Sequence, residues 1–552
     1  MKKITKLTSL VLALAMVLGL TACGKSGGSS SAQEDEDVHL NIGIQIRANV
    51  ESVTDNDLTR YLEDKLGYTF EFTEFSSAAS EWRSQFNTMI AAGEKLPDIM
   101  FGFGWNDVER YTYGSDGYLV DMAPYFEDEK LSGEFKARVD ELYGEGYFEE
   151  MIKYLKSPNG GIYAFPNASF SNEKGNNTFS AYINTTWLDK LGLEMPTNWD
   201  ELVTVLRAFK EQDPNGNGKQ DEIPAVGVVG ASNTTTATTG YDLPSWLLNN
   251  FLYIDDAKVF NSENGKLSFP YITDEYRKGL QALNDLVDEG LLSTMCWTMD
   301  QGSKELDAII GPANGEAIAG VIGGMMSKMP TNSPTMWEYE GLLPFNYAPV
   351  TLNIPTAYLF ITEDCENPEA AFKLFTQLAT EEGSMLIRYG VEGTHWEWQE
   401  DDTEAGKGVN QLIQFSAGSH KVHWGVNYGT LLRYDRNNTP YHAIRDPEAT
   451  WLNEKNDRGD VHYNGYIEVA EKNNPDEIVN KLLYTVEEQE NIGNINTDVL
   501  IYVKESRAKF ATGVLDPYDD AQWNDYLKNL EDMGLQVWLD NAQAAWDRMN
   551  SN

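Results

Sequence analysis

Residues 213–222 carry the most specific chemistry in the chain. Asp213, Asn215, Asn217 and Asp221 put oxygen-bearing side chains at positions 1, 3, 5 and 9 of this stretch, with Gly218 at position 6. Alternate side chains then converge on one centre and the glycine permits a sharp turn. Position 7 contributes only its backbone carbonyl, so Lys219 is no objection. This is the donor order in the first nine places of an EF-hand calcium loop. Position 12 is Pro224 where the full pattern has a bidentate glutamate, so Glu222 at position 10 would have to supply that carboxylate. The expected cofactor is one structural calcium ion at Asp213, Asn215, Asn217, Lys219, Asp221 and Glu222, capping the end of a helix over 199–212. The competing reading is a turn rich in Asn and Gly.

Other reactive constellations are missing from the sequence. The histidines are 39, 395, 420, 423, 442 and 462, and no pair brackets an acid at i, i+4 as a metalloprotease helix requires. There is no Gly-x-Ser-x-Gly nucleophile elbow, and no phosphate loop of the form Gly-x-x-x-x-Gly-Lys-Ser/Thr.

Charge and composition narrow the class. With 42 Lys and Arg against 86 Asp and Glu, the net charge of −44 repels phosphate backbones, which argues against nucleic acid as a partner. The 14 Trp, 28 Tyr and 22 Phe are far more than an acidic disordered chain carries. A length of 552 residues exceeds one compact core and calls for two large lobes or several domains.

The first residues point outward. Lys2, Lys3 and Lys6 precede the apolar run Leu7–Leu20, and Leu20-Thr21-Ala22-Cys23 closes it, so 1–22 reads as a secretion signal. The run is shorter than the roughly 20 residues a helix needs to cross hydrocarbon. Leu-Thr-Ala-Cys resembles the lipobox of bacterial lipoproteins, which implies that Cys23 takes a diacylglycerol and, with palmitate-type chains, becomes the anchored N-terminus. Several acyl chains on one residue hold a protein where one does not. Residues 23–38 are then a flexible acidic tether, on the extracellular face of the cell membrane. Cys296 and Cys365 are expected to be buried thiols, since two cysteines make no disulfide framework.

The elements that position these residues follow from periodicity. Leu40, Ile42, Ile44 and Ile46 alternate as a strand; Leu58, Tyr61, Leu62 and Leu66 recur as a helix before Gly67; a strand over 69–75, a helix over 80–92 and a strand over 98–101 follow. This β-α-β-α-β order predicts a parallel, doubly wound sheet whose site lies beyond the strands' carboxyl ends, at 45–49 and 102–105. A second α/β unit is predicted from a strand over 180–184 and helices over 186–191, 199–212, 274–289 and 368–382. Residues 410–474 give no clear pattern.

Several segments in a fixed order resemble a known family: Asn87 with Ala91–Ile99, Gly160–Pro166, Trp187–Leu193, Asp213–Gly218, Gly390–Trp396 and Phe510–Gly513. Together they are similar to the extracellular solute-binding lipoproteins of bacterial ABC importers, in the subfamily of alginate-binding and lipoprotein-type sugar-binding proteins, where Glu222 would take the tenth loop position. The resemblance implies an α/β, periplasmic-binding-protein-like fold: two doubly wound lobes joined by a hinge, with the ligand cleft between them. It implies an N-terminal lobe of 39–164 plus approximately 350–395 and a C-terminal lobe of approximately 165–349 plus 396–552. It also implies a monomer without enzymatic activity that hands a carbohydrate to ABC permease subunits.

Sugar rings present C–H faces that lie on aromatic side chains, while their hydroxyls pair with polar groups. On that chemistry the candidate ligand residues are Trp105, Trp246, Trp297 and Trp396, with Arg47 and Asn167 as hydrogen-bonding partners; lobe packing is the competing role for each ring. The acidic surface disfavours polyuronates and favours neutral oligosaccharides. Two other classes compete. An anchored glycoside hydrolase or lyase would need two carboxyls about 5–10 Å apart across the scissile bond, and a sugar sensor would have no transport partner.

Overall fold

The computed structural model describes residues 38–551 except 47–49, 51, 168–175, 178, 228–241, 256–257, 300–308, 310–316, 324–336, 352–354, 399–408, 413–422, 426–430, 433 and 435–449. The expected signal, tether and Cys23, together with Arg47, lie outside the described residues. Among the described residues no helix is long and apolar enough to cross a membrane.

Alternation of apolar residues along His39–Gln45 buries Leu40, Ile42 and Ile44 and makes this strand the centre of its neighbourhood. It pairs in parallel with Thr69–Phe75 on one side and Ile99–Phe101 on the other, Ile42 standing opposite both Phe72 and Ile99. Gly43 is required there, because a Cβ would come within 2.8 Å of the Met100 sulfur and 3.1 Å of the Phe75 ring. The helix Asp57–Leu66 starts where Asn56 accepts from the Leu58 and Thr59 amides and stops at Gly67, whose φ of 71° a side chain would resist.

The first sheet has five strands, in the order Thr69–Phe75, His39–Gln45, Ile99–Phe101, Thr356–Ile361, Phe165–Asn167. Only the first three are parallel. Thr356–Ile361 runs antiparallel to Ile99–Phe101, and Phe165–Asn167 antiparallel to it in turn, so the wholly parallel sheet expected from local rhythm is corrected to a mixed one. Local alternation cannot reveal this, because the strand added beside Ile99–Phe101 arrives from some 250 residues further along the chain. Around this sheet lies a first core that includes Trp82, Phe86, Phe135, Phe165, Phe372 and Phe375; Trp424, Leu431 and Leu432, beyond residue 395, are buried there too.

The second sheet has four strands, in the order Tyr339–Leu342, Ala181–Asn184, Ala319–Gly323, Ile223–Val226. Ala319–Gly323 is parallel to Ile223–Val226 and antiparallel to Ala181–Asn184. Its core gathers Trp187, Phe209, Trp246 and Leu280 with Phe510, Trp523 and Trp538 from the helices Ile495–Ala511, Asp520–Asp532 and Leu535–Asn550.

Two further expectations change. The single helix over 368–382 is two, Pro368–Leu378 and Glu381–Tyr389, because Thr380 leaves the helix and accepts from the Gly383 amide. The pattern-poor 410–474 contains the helix Thr450–Asn473, of which Tyr463, Tyr466, Ile467 and Ala470 are buried at helical spacing.

Candidate functional site

The loop over 213–222 folds around its own acids. It leaves the carboxyl end of the helix Trp199–Glu211, where backbone carbonyls favour a cation, and enters the strand Ile223–Val226. Asp213 adopts φ 47°, and Gly216 and Gly218 take 76° and 74°. That path lets the Asp213 carboxylate accept from the Gly216, Asn217 and Gly218 amides at 3.0, 3.1 and 2.9 Å. Asn215 and Asn217 donate to Asp221 at 3.1 and 3.0 Å, which holds the Asp221 carboxyl below the usual range. Lys190 ties the loop down by donating to the Pro214 carbonyl at 2.9 Å.

Glu222 is the exception. Both its carboxyl oxygens are buried without a hydrogen-bond partner, and burial, followed by the negative charge of Asp213, pushes its pKa up. Among the described residues no three His, Cys, Asp or Glu side chains form a metal site by themselves. The donors here are mixed: three carboxylates with two amides and backbone carbonyls. Such a hard-oxygen set suits calcium, and the unpartnered Glu222 oxygens are what a cation would satisfy.

At the first sheet, the carboxyl ends of the parallel strands and of Phe165–Asn167 meet at one edge, with the amino end of Thr356–Ile361 between them. Gln45 ends one strand and donates to the Gly102 carbonyl at 3.3 Å; Asn167 ends another, opposite Thr356. Both are buried.

The four tryptophans do not converge. Trp105 is 4% exposed: the segment after Gly102 turns its indole down into the first core, 4.8 Å from Phe86, 5.3 Å from Tyr113 and 4.5 Å from Phe360. Trp246 is 1% exposed, on the helix Leu243–Leu248, packed 5.8 Å from Phe345 in the second core. Both rings are packed within the cores, the competing role given to them above. Trp297 is half-buried at the end of the turn Thr294–Trp297. Its neighbour Cys296 accepts from the Gly227 amide at 3.1 Å, just past the strand Ile223–Val226, so Trp297 stands near the carboxyl edge of the second sheet.

Trp396 belongs to a separate cluster with Met385, Tyr389 and Val409, and its indole N–H donates to the Gly390 carbonyl at 2.8 Å. It borders a cavity of about 780 Å³ shared with Tyr61, Arg60, Glu392 and Trp398. Sequence reasoning passed over Tyr61 and Trp398, although Trp396-x-Trp398 is the spacing that puts two rings on one face of a strand.

Cys296 and Cys365 are free and buried, and burial pushes both thiols up to about 12. His420 lies outside the described residues, and His423 bonds the Leu386 carbonyl at 2.9 Å.

Comparison with known proteins fits this architecture. Residues 58–385 match the bacterial extracellular solute-binding protein family, and the chain belongs to that family. It is 30% identical over 249 residues to the fructooligosaccharide ABC transporter substrate-binding protein FusA of Streptococcus pneumoniae, covering 44% of this chain and 42% of FusA. It is 28% identical over 327 residues to lipoprotein LipO of Bacillus subtilis, covering 56% of this chain and 55% of LipO. The chain thus spans about half the length of the curated relatives it matches. A solute-binding protein of Bifidobacterium longum infantis, described as binding HMO, superposes with a TM-score of 0.68 at 22% identity, over 93% of this chain and 99% of that one. An EF-hand mutant of FusA in complex with fructo-nystose superposes at 0.59 and 21% identity, over 93% and 100%. These likenesses give the fold as that of periplasmic-binding-protein-like receptors.

Proposed function

We propose that this protein is the extracellular solute-binding component of an ABC importer, that it captures a neutral oligosaccharide between two lobes, and that it delivers it as a monomer to the permease subunits. The observation that carries the reading is the family match over 58–385, which runs through strands of both sheets. Each sheet has its own core. Two such bodies, expected as 39–164 with approximately 350–395 and approximately 165–349 with the remainder, but with Phe165–Asn167, Trp424, Leu431 and Leu432 joining the first sheet and its core, close on a ligand by hinge motion, and the ligand's extra contacts in the closed form shift the population toward it.

In this reading Gln45, Arg47 and Asn167 present hydrogen-bonding groups from the first lobe and Trp297 offers a ring from the second. The loop over 213–222 holds one calcium ion through Asp213, Asn215, Asn217, Asp221, Glu222 and the Lys219 carbonyl. That ion braces the exit of the helix Trp199–Glu211 and takes no part in ligand chemistry. Cys23 carries the lipid that anchors the chain, in keeping with a lipoprotein relative. No turnover of the sugar is expected from a family of substrate-binding proteins.

A thermal-shift screen of neutral and acidic oligosaccharides tests the proposal. A ligand that binds only the folded state adds about 2.7 kcal/mol at a hundred times its Kd. Stabilisation by neutral oligosaccharides supports the reading; stabilisation by uronates or peptides alone defeats it.

A further inference from the structure

The extended segment 475–484 lies between the two cores and is held by both. Toward the second core, Glu477 accepts from the Ser262 hydroxyl and from the Gly265 amide at 2.9 Å, Ile478 bridges Asn261, and Val479 is buried. Toward the first core, Asn480 donates to the Tyr154 hydroxyl at 3.2 Å. Lys481 donates to Asp107 at 2.8 Å and to the Tyr154 carbonyl at 3.4 Å. Asp107 and Arg110 are on the helix Asp107–Ser115, and Tyr154 is on Tyr147–Leu155, whose Phe148 and Met151 belong to the first core.

Asp107 therefore receives two cations, Arg110 from its own helix and Lys481 from the strap. Arg110 is 7% exposed. Burial lowers the pKa of both cations, and for Lys481 the nearby Arg110 adds to it. Space opens on either side of this contact. A cavity of about 530 Å³ separates Asn106–Tyr113 from Leu482, Tyr484 and Gln489, and one of about 270 Å³ separates Lys153–Gly160 from Leu483 and Arg548. A narrow, directional, partly buried contact with gaps on both flanks holds one point fixed and leaves the bodies around it free to turn, which a broad apolar slab does not.

We propose that the Asp107–Arg110–Lys481 cluster is the fixed joint on which the two lobes swing, so that Lys481 is a positioning residue that sets the open–closed balance without touching ligand. This rests on the two-lobe reading above but not on the identity of the sugar. Lys481→Met keeps most of the aliphatic stem and leaves the half-buried Asp107 carboxylate paired with Arg110.

The test is the distance distribution between spin labels at Glu129→Cys and Asp200→Cys, one in each lobe, in the full chain carrying Cys23→Ala, without ligand. Lys481→Met is expected to broaden the distribution at least twofold. Lys153→Met, which removes an exposed contact to Asn550 at the same junction, is expected to leave it unchanged. If Lys481→Met does not fold, Lys481→Gln is read the same way. An unchanged width in a folded Lys481 variant overturns the joint, even if its melting temperature falls. A parent protein whose distances respond to no oligosaccharide overturns the ligand reading instead, and the ligand-free comparison still decides the joint.

Discussion

The indole of Trp105 meets the ring of Phe360 edge to face, with centroids 4.5 Å apart and planes at 69°. The contact joins the segment that follows Ile99–Phe101 to a strand some 250 residues later, and it makes Trp105 part of the packing that fixes the antiparallel half of the first sheet. Trp105→Ala should cost about 3–5 kcal/mol of stability, read by denaturant unfolding, while the folded fraction keeps its ligand affinity. A large loss of affinity at unchanged stability would return the ring to the cleft.

The difference between Trp105 as expected and as found shows where sequence reasoning stops. Local alternation and caps are physical properties of a short stretch, so His39–Gln45, Thr69–Phe75 and Asp57–Leu66 were legible nearly to the residue. The donor order of 213–222 was legible for the same reason: its geometry is made within ten residues. Whether a tryptophan past a strand points at the cleft or into the core depends on what the far chain brings beneath it, here Phe360. The joint at Lys481 was invisible for the same cause, since its partner Asp107 is 374 residues away.

The calcium loop gives the second prediction. Asp213→Ala together with Asp221→Ala should abolish bound calcium, measured by elemental analysis of the desalted protein, while ligand affinity stays within a few-fold. In the unmutated protein a chelator should lower the melting temperature, because the ion binds the folded loop and not the open chain. Retention of calcium by the double variant would reduce the loop to a turn.

Two buried histidines set an acid limit. His423 and His462 are both pushed down to about 4 by burial, and neither ring nitrogen of His462 has a partner. Their folded values lie below the unfolded value of about 6.5. The unfolded chain therefore takes up protons first, and stability that is constant above that value is lost as pH falls toward 4. Each histidine contributes on the order of 3 kcal/mol to this loss. Denaturant midpoints at pH 7 and pH 5 should converge more for His462→Phe than for the parent; equal slopes would show that His462 is protonated in the folded state.

Anchoring is tested by fractionation. Cys23→Ala should move the protein from the membrane fraction to the medium, and metabolic labelling with palmitate should be lost with it. Unchanged membrane association would contradict the lipid anchor.

The central claim is capture of an intact neutral oligosaccharide. Its most direct test is calorimetric titration of the purified protein with kestose, nystose and other neutral oligosaccharides of increasing length, followed by chromatography of the recovered ligand. The account predicts saturable one-to-one binding of at least one of them and its recovery unchanged after prolonged incubation. Binding confined to acidic polymers or peptides, or cleavage of the sugar beyond one equivalent, would contradict it.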